Sequence, residues 1–99
     1  MYARLVRFSL GTGRRSVAQA VADELAPKIA MQPGCGGVTV FGDDNDGEYG
    51  MFVLWNSQAD AAAAAAIIRP ILDKHLSGNV QAPPDARLFE VISGSLSPG

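Results

Sequence analysis

The sequence predicts a single α+β domain in which strands and helices follow one another in the order β-α-β-β-α-β. Four short runs of apolar, β-branched and aromatic residues alternate with two segments of helical periodicity. An acidic turn at residues 42–47, flanked by glycines, joins the second and third runs into a hairpin. Two β-α-β halves with right-handed crossovers then give a ferredoxin-like, four-stranded antiparallel sheet with both helices on one face.

The predicted strands cover residues 2–10, 38–41, 49–55 and 87–92. Side chains alternate along a strand, so one face of the third strand carries Met51, Val53 and Trp55, and the other carries Phe52 and Leu54. Two helices can cover only one of these apolar faces. We therefore expect the second face to pack against the same face of another copy, as a homodimer.

Both predicted helices begin at a serine. Ser16 with Gln19, and Ser57 with Asp60, have the spacing of a capping box, in which the serine hydroxyl accepts a bond from the backbone three residues later. Pro27 lies inside the first helical pattern and predicts a kink or an early end to regular hydrogen bonding.

Composition limits the possible partners. A net charge of −2 without a basic stripe argues against nucleic-acid binding. The single cysteine, Cys35, rules out an internal disulfide and fits a reducing cytoplasm. No apolar run approaches the ~20 residues of a membrane span. We expect a cytoplasmic protein without membrane contact, with its domain at residues 1–93 and a flexible tail at 94–99.

Two short motifs have an ordinary structural interpretation. Residues 11–16 partly match the G-x-G-x-x-G loop of dinucleotide-binding proteins, but the chain is too short for the usual sheet and lacks the acidic residue that follows. The acidic residues at 43–46 do not have the spacing of a calcium loop. We expect neither a nucleotide site nor a metal site.

Four segments together resemble the antibiotic biosynthesis monooxygenase domain over residues 2–92. They are Gln-Pro-Gly at 32–34, the hairpin at 43–47, Val-Leu-Trp-Asn-Ser at 53–57, and Asp60. The resemblance implies a dimeric α/β barrel with a pocket between helices and sheet. The family includes monooxygenases that form quinones without a cofactor, so the resemblance implies that no cofactor is needed here.

The family also includes heme-degrading enzymes, whose residues are mostly missing from this chain. Their asparagine in the first strand aligns with Val6, and their tryptophan in the second helix falls near Ala64. Only their histidine has a counterpart, close to His75. One match in three argues against heme degradation.

Four residues are candidates for binding a ligand, each with a plainer alternative. Arg4 could bind a carboxylate or enolate, or form a salt bridge with Glu90. Trp55 could line an aromatic pocket, or pack in the core or dimer interface. Asn56 could contact a ligand, or lead into the helix. His75, the one histidine, could act as an acid or base or bind a heme iron, or interact favourably with a helix C-terminus.

Two function hypotheses follow. The first is a cofactor-independent, monooxygenase-like enzyme acting on a small aromatic or enolisable molecule, whose anion passes an electron to oxygen. The second is a non-catalytic dimeric domain that binds a small ligand or serves as a stress-response accessory. The scarcity of acid and base groups, with one histidine and one cysteine, supports the second.

Overall fold

The computed structural model describes residues 1–94, and it confirms the predicted order of elements. The elements are β1 (Tyr2–Ser9), α1 (Arg15–Ala30), β2 (Cys35–Asp43), β3 (Glu48–Trp55), α2 (Gln58–Leu76) and β4 (Asp85–Glu90). The strands form one antiparallel sheet in the order β2-β3-β1-β4, which is the ferredoxin-like arrangement. Residues 95–99 of the predicted tail lie outside the described residues, so the domain and tail boundaries stay predictions.

The core forms between the helices and the inner face of the sheet. The predicted alternation of β3 is confirmed, because Met51, Val53 and Trp55 are at most 3% exposed. The helices bury Val21, Leu25 and Ile29 from α1 and Ile68, Leu72 and Leu76 from α2. Complete burial of an aliphatic or aromatic side chain of this size contributes about 1.5–3 kcal/mol, so this face supplies much of the stability of the fold.

The two helices begin differently. In α2 the predicted cap is confirmed, since the Ser57 hydroxyl accepts a bond of 3.0 Å from the Asp60 amide. In α1 the prediction is wrong: the helix begins at Arg15, and its N-cap Arg14 makes no side-chain cap. The helix therefore already includes Ser16 in its first turn, where the serine cannot act as the cap.

Pro27 does not end α1, contrary to the expectation of an early stop. A proline removes only its own N–H, so one helical bond is lost while those that follow can still form. The amide of Met31 donates to the Pro27 carbonyl at 3.2 Å, and the helix continues to Ala30.

The outer face of the sheet remains apolar and uncovered by either helix. Phe41, Phe52 and Phe89 are 42%, 40% and 42% exposed, respectively. Leu5 pairs with Phe52 across β1 and β3, which places both residues on this face. In the part of the chain from residue 1 to 94, no helix is long and apolar enough to cross a membrane.

Candidate functional site

A cavity of about 190 Å³ lies between α2 and the inner face of the sheet. Its walls are mostly apolar and include Val6, Met51 and Val53 from the sheet and Ala61, Ala65 and Ile68 from α2. Arg69 and Asp73 also line it, and both residues are exposed. The cavity therefore has an apolar interior and two charged residues at its exposed mouth.

The alanines of α2 explain why this space exists. Ala61 and Ala65 are one helical turn apart and both face the sheet. Each side chain is a single methyl group, which leaves a gap between the helix backbone and β1 and β3. A leucine at either position would extend into that gap. The alanine run is thus more than a helix-forming segment, because part of it shapes the cavity.

Arg4 enters the cavity from β1. It pairs in register with Val53 on one side and Leu88 on the other, so its neighbours in the sheet are apolar. Burial lowers the pKa of the Arg4 guanidinium, and the nearby charge of Arg69 lowers it further. Among residues 1–94, the ion pairs do not include Arg4, and the alternative pairing with Glu90 does not form.

Trp55 lines the same cavity from the end of β3 and is 2% exposed. Its indole Nε1 is buried, and it has no hydrogen-bond partner within the described residues. A buried donor left without an acceptor costs about 1–3 kcal/mol. An acceptor supplied by a ligand, after a small movement of the ring, would recover that cost.

Arg69 and Asp73 are the polar residues of this site that sequence reasoning missed. They continue the series that begins with Ala61 and Ala65, at intervals of four residues along α2. Residues at this spacing share one face of a helix. The sequence therefore did contain a signal for these two residues, because Arg69 and Asp73 lie on the same face of α2 as Ala61 and Ala65.

The structure brings Arg4 and Trp55 together and places the other two candidates elsewhere. Asn56 is exposed, and its backbone amide donates to the Gly34 carbonyl at 2.8 Å, just before the cap of α2. His75 lies in the last turn of α2, where its Nε2 is 2.5 Å from a carboxylate oxygen of Glu24 on α1. Neither residue belongs to the cavity wall.

The carboxylate that pairs with His75 also interacts with Lys28, one turn further along α1. The Lys28 ammonium donates to Glu24 at 3.0 Å. This hydrogen bond, followed by the one with His75, lowers the pKa of Glu24 below its ordinary value. The histidine is thus part of a polar link between the helices.

No protein-family model and no curated protein matches this sequence, but solved structures match its fold. A candidate antibiotic biosynthesis monooxygenase from Nitrosomonas europaea superposes with a TM-score of 0.81 at 14% identity, covering 94% of this chain and 100% of its own. A similarly named protein from Deinococcus radiodurans has a TM-score of 0.81 at 14% identity, with 100% of both chains covered.

A third similar structure is a variant of SnoaB, a cofactor-independent oxygenase from Streptomyces nogalater. It superposes with a TM-score of 0.76 at 20% identity, and 94% of each chain is covered. At such identities the likeness establishes the fold alone. The resemblance drawn from the sequence is confirmed at that level, since two structures named for the same domain share the architecture over nearly the whole chain.

Proposed function

We propose that this chain belongs to the antibiotic biosynthesis monooxygenase family and oxidises a small aromatic or enolisable molecule without a cofactor. The observation that carries the proposal is the cavity under α2, with apolar walls and two cationic side chains, Arg4 and Arg69. Similar structures named as monooxygenases, one of them a cofactor-independent oxygenase, support the same reaction type.

The proposed reaction begins with loss of a proton from a carbon next to a carbonyl, or from a phenol. In this proposal Asp73 accepts the proton at the mouth of the cavity. The guanidinium of Arg4 stabilises the resulting enolate or phenolate by a charge-assisted hydrogen bond. Apolar walls exclude water, which strengthens this interaction.

The anion then transfers one electron to dioxygen, giving a substrate radical and superoxide. Their recombination forms a carbon–oxygen bond and, after protonation, a hydroperoxide on the carbon. Loss of water from the hydroperoxide breaks the oxygen–oxygen bond and leaves a carbonyl. The sum converts a CH2 group and O2 into C=O and H2O, so that one oxygen atom enters the product and the substrate supplies all the electrons.

Oxygen uptake by chelator-treated protein tests this proposal. With 1-hydroxy-2-naphthoate as substrate, a two-ring phenol whose keto tautomer has a CH2 group at C4, we expect uptake well above that of heat-denatured protein, and one atom from ¹⁸O₂ in the 1,4-quinone. Arg4→Met should lower the rate by roughly 100-fold, the usual effect of removing an oxyanion-stabilising group. Arg14→Met, an exposed arginine away from the cavity, is the matched control. Uptake no faster than with denatured protein would contradict the proposal.

We propose further that the chain works as a homodimer joined through the outer face of the sheet. Phe41, Phe52 and Phe89 give this face three partly exposed aromatic rings, and neither helix covers them. Large exposed apolar patches mark interaction sites. A two-fold pairing of identical sheets would bury the rings of both copies together.

The second candidate function is a binding domain without catalysis. One observation favours it: among the described residues, the cavity wall includes a single carboxylate, Asp73, and neither the histidine nor the cysteine. Such a domain would use the same cavity. Saturable binding of the substrates under nitrogen, without any oxygen uptake in air, would favour this function over the oxygenase.

A further inference from the structure

We infer that the ligand is a planar anion of one or two rings, bound by Arg4 and Arg69 through a carboxylate beside the enolate or phenolate oxygen, in the space that Ala65 leaves open. The inference deepens the proposed function, since it names the class of molecule for the same cavity. It concerns binding rather than turnover, so it can be tested where no oxygen is consumed.

The charge requirement follows from two guanidinium groups that line one small cavity. Arg69 lies close enough to Arg4 to disfavour its protonated form, in addition to the effect of burial. Neither arginine takes part in an ion pair within residues 1–94. Asp73 at the mouth offsets one charge, which leaves the site with a net positive charge.

An anion is the ligand that relieves this arrangement. A carboxylate accepts two parallel bonds from a guanidinium, and its charge screens the repulsion between the arginines. A neutral ligand of the same shape would leave both cations uncompensated. We therefore expect the protein to bind an anion more tightly than a neutral ligand of the same shape.

The size requirement follows from the volume. An engineered apolar cavity of ~150 Å³ holds benzene, whereas sites for drug-sized ligands occupy ~300–1,000 Å³. The present cavity of about 190 Å³ is close to the first figure. From this volume we expect one substituted ring or two fused rings to fit, and a third ring to be excluded. Ala65 keeps part of this space open, since it contributes only a methyl group to the wall, and a larger side chain there would reduce the volume.

Calorimetry with 2-naphthoate and its neutral isostere 2-naphthamide tests the charge requirement. We expect the carboxylate to bind at least tenfold more tightly. Arg4→Met and Arg69→Met should each remove most of that preference, and Arg69 is exposed, so its variant should fold normally. Lys74→Met removes a cation from the same helix outside the cavity and should leave the preference intact.

The single tryptophan reports where the ligand binds. In a ¹⁵N-labelled sample, the one indole N–H resonance belongs to Trp55, which lines the cavity. It should shift and saturate with 2-naphthoate. Equal affinity for the amide, no binding of the carboxylate at millimolar concentration, or binding that leaves this resonance unmoved would each overturn the inference.

A ring series tests the size limit. Benzoate and 2-naphthoate should bind, whereas 2-anthroate, with three rings, should bind at least tenfold more weakly than 2-naphthoate. Ala65→Leu should weaken 2-naphthoate by a similar factor, and Ala66→Leu, the exposed next residue, should not. Tighter binding of 2-anthroate, or equal effects of the two leucines, would overturn the limit.

The two proposals fail in different experiments. Charge-selective binding of naphthoate without any oxygen uptake would leave the ligand class standing and overturn the oxygenase. Oxygen uptake by a protein that binds naphthoate and naphthamide equally would overturn the ligand class and leave the oxygenase standing.

Discussion

Arg4 carries a charge at a position where burial removes part of its hydration and where no described carboxylate compensates for it. Its neighbours across the sheet, Val53 and Leu88, are apolar. A charged side chain without a partner makes the ligand-free protein less stable. Such side chains are kept at functional sites because a bound ligand supplies the missing partner.

Replacing Arg4 with methionine should therefore stabilise the empty protein by about 0.5–2 kcal/mol, the usual gain from relieving a functional compromise. Urea denaturation without ligand measures this change. Arg14→Met is the matched control, because Arg14 is exposed and lies outside both the sheet and the cavity; its effect should stay within about 0.5 kcal/mol. A less stable Arg4→Met protein would show that the charge has a partner after all.

Gly47 is fixed by both its conformation and its surroundings. Its φ is +71°, and a Cβ there would lie 2.2 Å from the carbonyl carbon of Gly11. Gly78 has a similar φ of +77° but nothing within 4 Å. Gly47→Ala should cost at least about 3 kcal/mol, from strain and overpacking together. Gly78→Ala should cost about 1 kcal/mol, from backbone strain alone.

Thermal or urea unfolding of the two glycine variants, measured side by side, separates these contributions. Equal losses of stability would mean that the close approach of Gly11 to Gly47 does not constrain the hairpin. The control position, Gly78, also has a positive φ but has no close neighbour. The difference in stability between the two variants therefore measures the steric contribution of Gly11 at Gly47.

At the residue scale, two of the four residues predicted from the sequence, Arg4 and Trp55, line the cavity. Arg4 and Trp55 lie in strands, where side chains alternate strictly between the two faces of the sheet. Once the buried face of each strand is known, this alternation places both side chains on it. Arg69 and Asp73 were missed because the alanine run that precedes them, residues 61–66, gives no contrast between the faces of the helix. With small apolar residues on every side of that run, tertiary packing decides which face turns inward.

At the scale of elements, α1 and α2 are linked by the polar cluster of Glu24, Lys28 and His75. The pKa of Glu24 is lowered in the folded protein, from an ordinary value of 4.5, mainly by the hydrogen bond from Lys28. Its contribution to stability is therefore fully present above that ordinary value and is lost as the pH falls through the lower folded value.

Glu24→Gln should consequently be less stable than the wild type at neutral pH and should approach it in acid. Urea denaturation at several values from about pH 7 to about pH 3 measures the difference. Asp46→Asn, an exposed acid in the hairpin, should show no such convergence. A gap between wild type and Glu24→Gln that stays constant with pH would contradict the assignment.

Strands β1 and β3 lie within one residue of their predicted bounds, whereas the bounds of β2 and β4 were missed, and of the two predicted serine caps only one forms. The cap at Ser57 depends on residues three positions apart and was found. Strand β2 is longer than the predicted 38–41 because pairing with β3, through a bulge between Cys35 and Gly37, draws glycines into the sheet. Strand β4 begins two positions earlier than predicted, since its register is set by β1.

At the scale of the whole molecule, the fold class and the order of elements followed from the sequence, whereas the cavity did not. Alternating patterns and turn residues determine the layers, but the volume between them depends on how closely α2 approaches the sheet. The apolar outer face was predictable from the sequence of β3 alone. The proposed homodimer, which would bury this face, can be tested by changing one of its residues.

Phe52→Glu should convert a homodimer into monomers. Burying a phenylalanine contributes about 1.5–3 kcal/mol per copy, and a buried unpaired carboxylate adds a penalty. Size-exclusion chromatography with light scattering measures the mass. Ile67→Glu, on an exposed position of α2 that is 51% accessible, is the matched control and should leave the mass unchanged. A wild-type protein that is monomeric at all concentrations would contradict the dimer.

We propose that the substrate is both bound and oxidised in the cavity under α2. Titrating 1-hydroxy-2-naphthoate under nitrogen while following the Trp55 indole resonance, and then admitting oxygen, tests binding and oxidation in one sample. We expect a saturable shift before oxygen and quinone formed in proportion to the bound fraction afterwards. Quinone that forms at the enzyme-dependent rate while the resonance never moves would place the chemistry elsewhere and contradict the account.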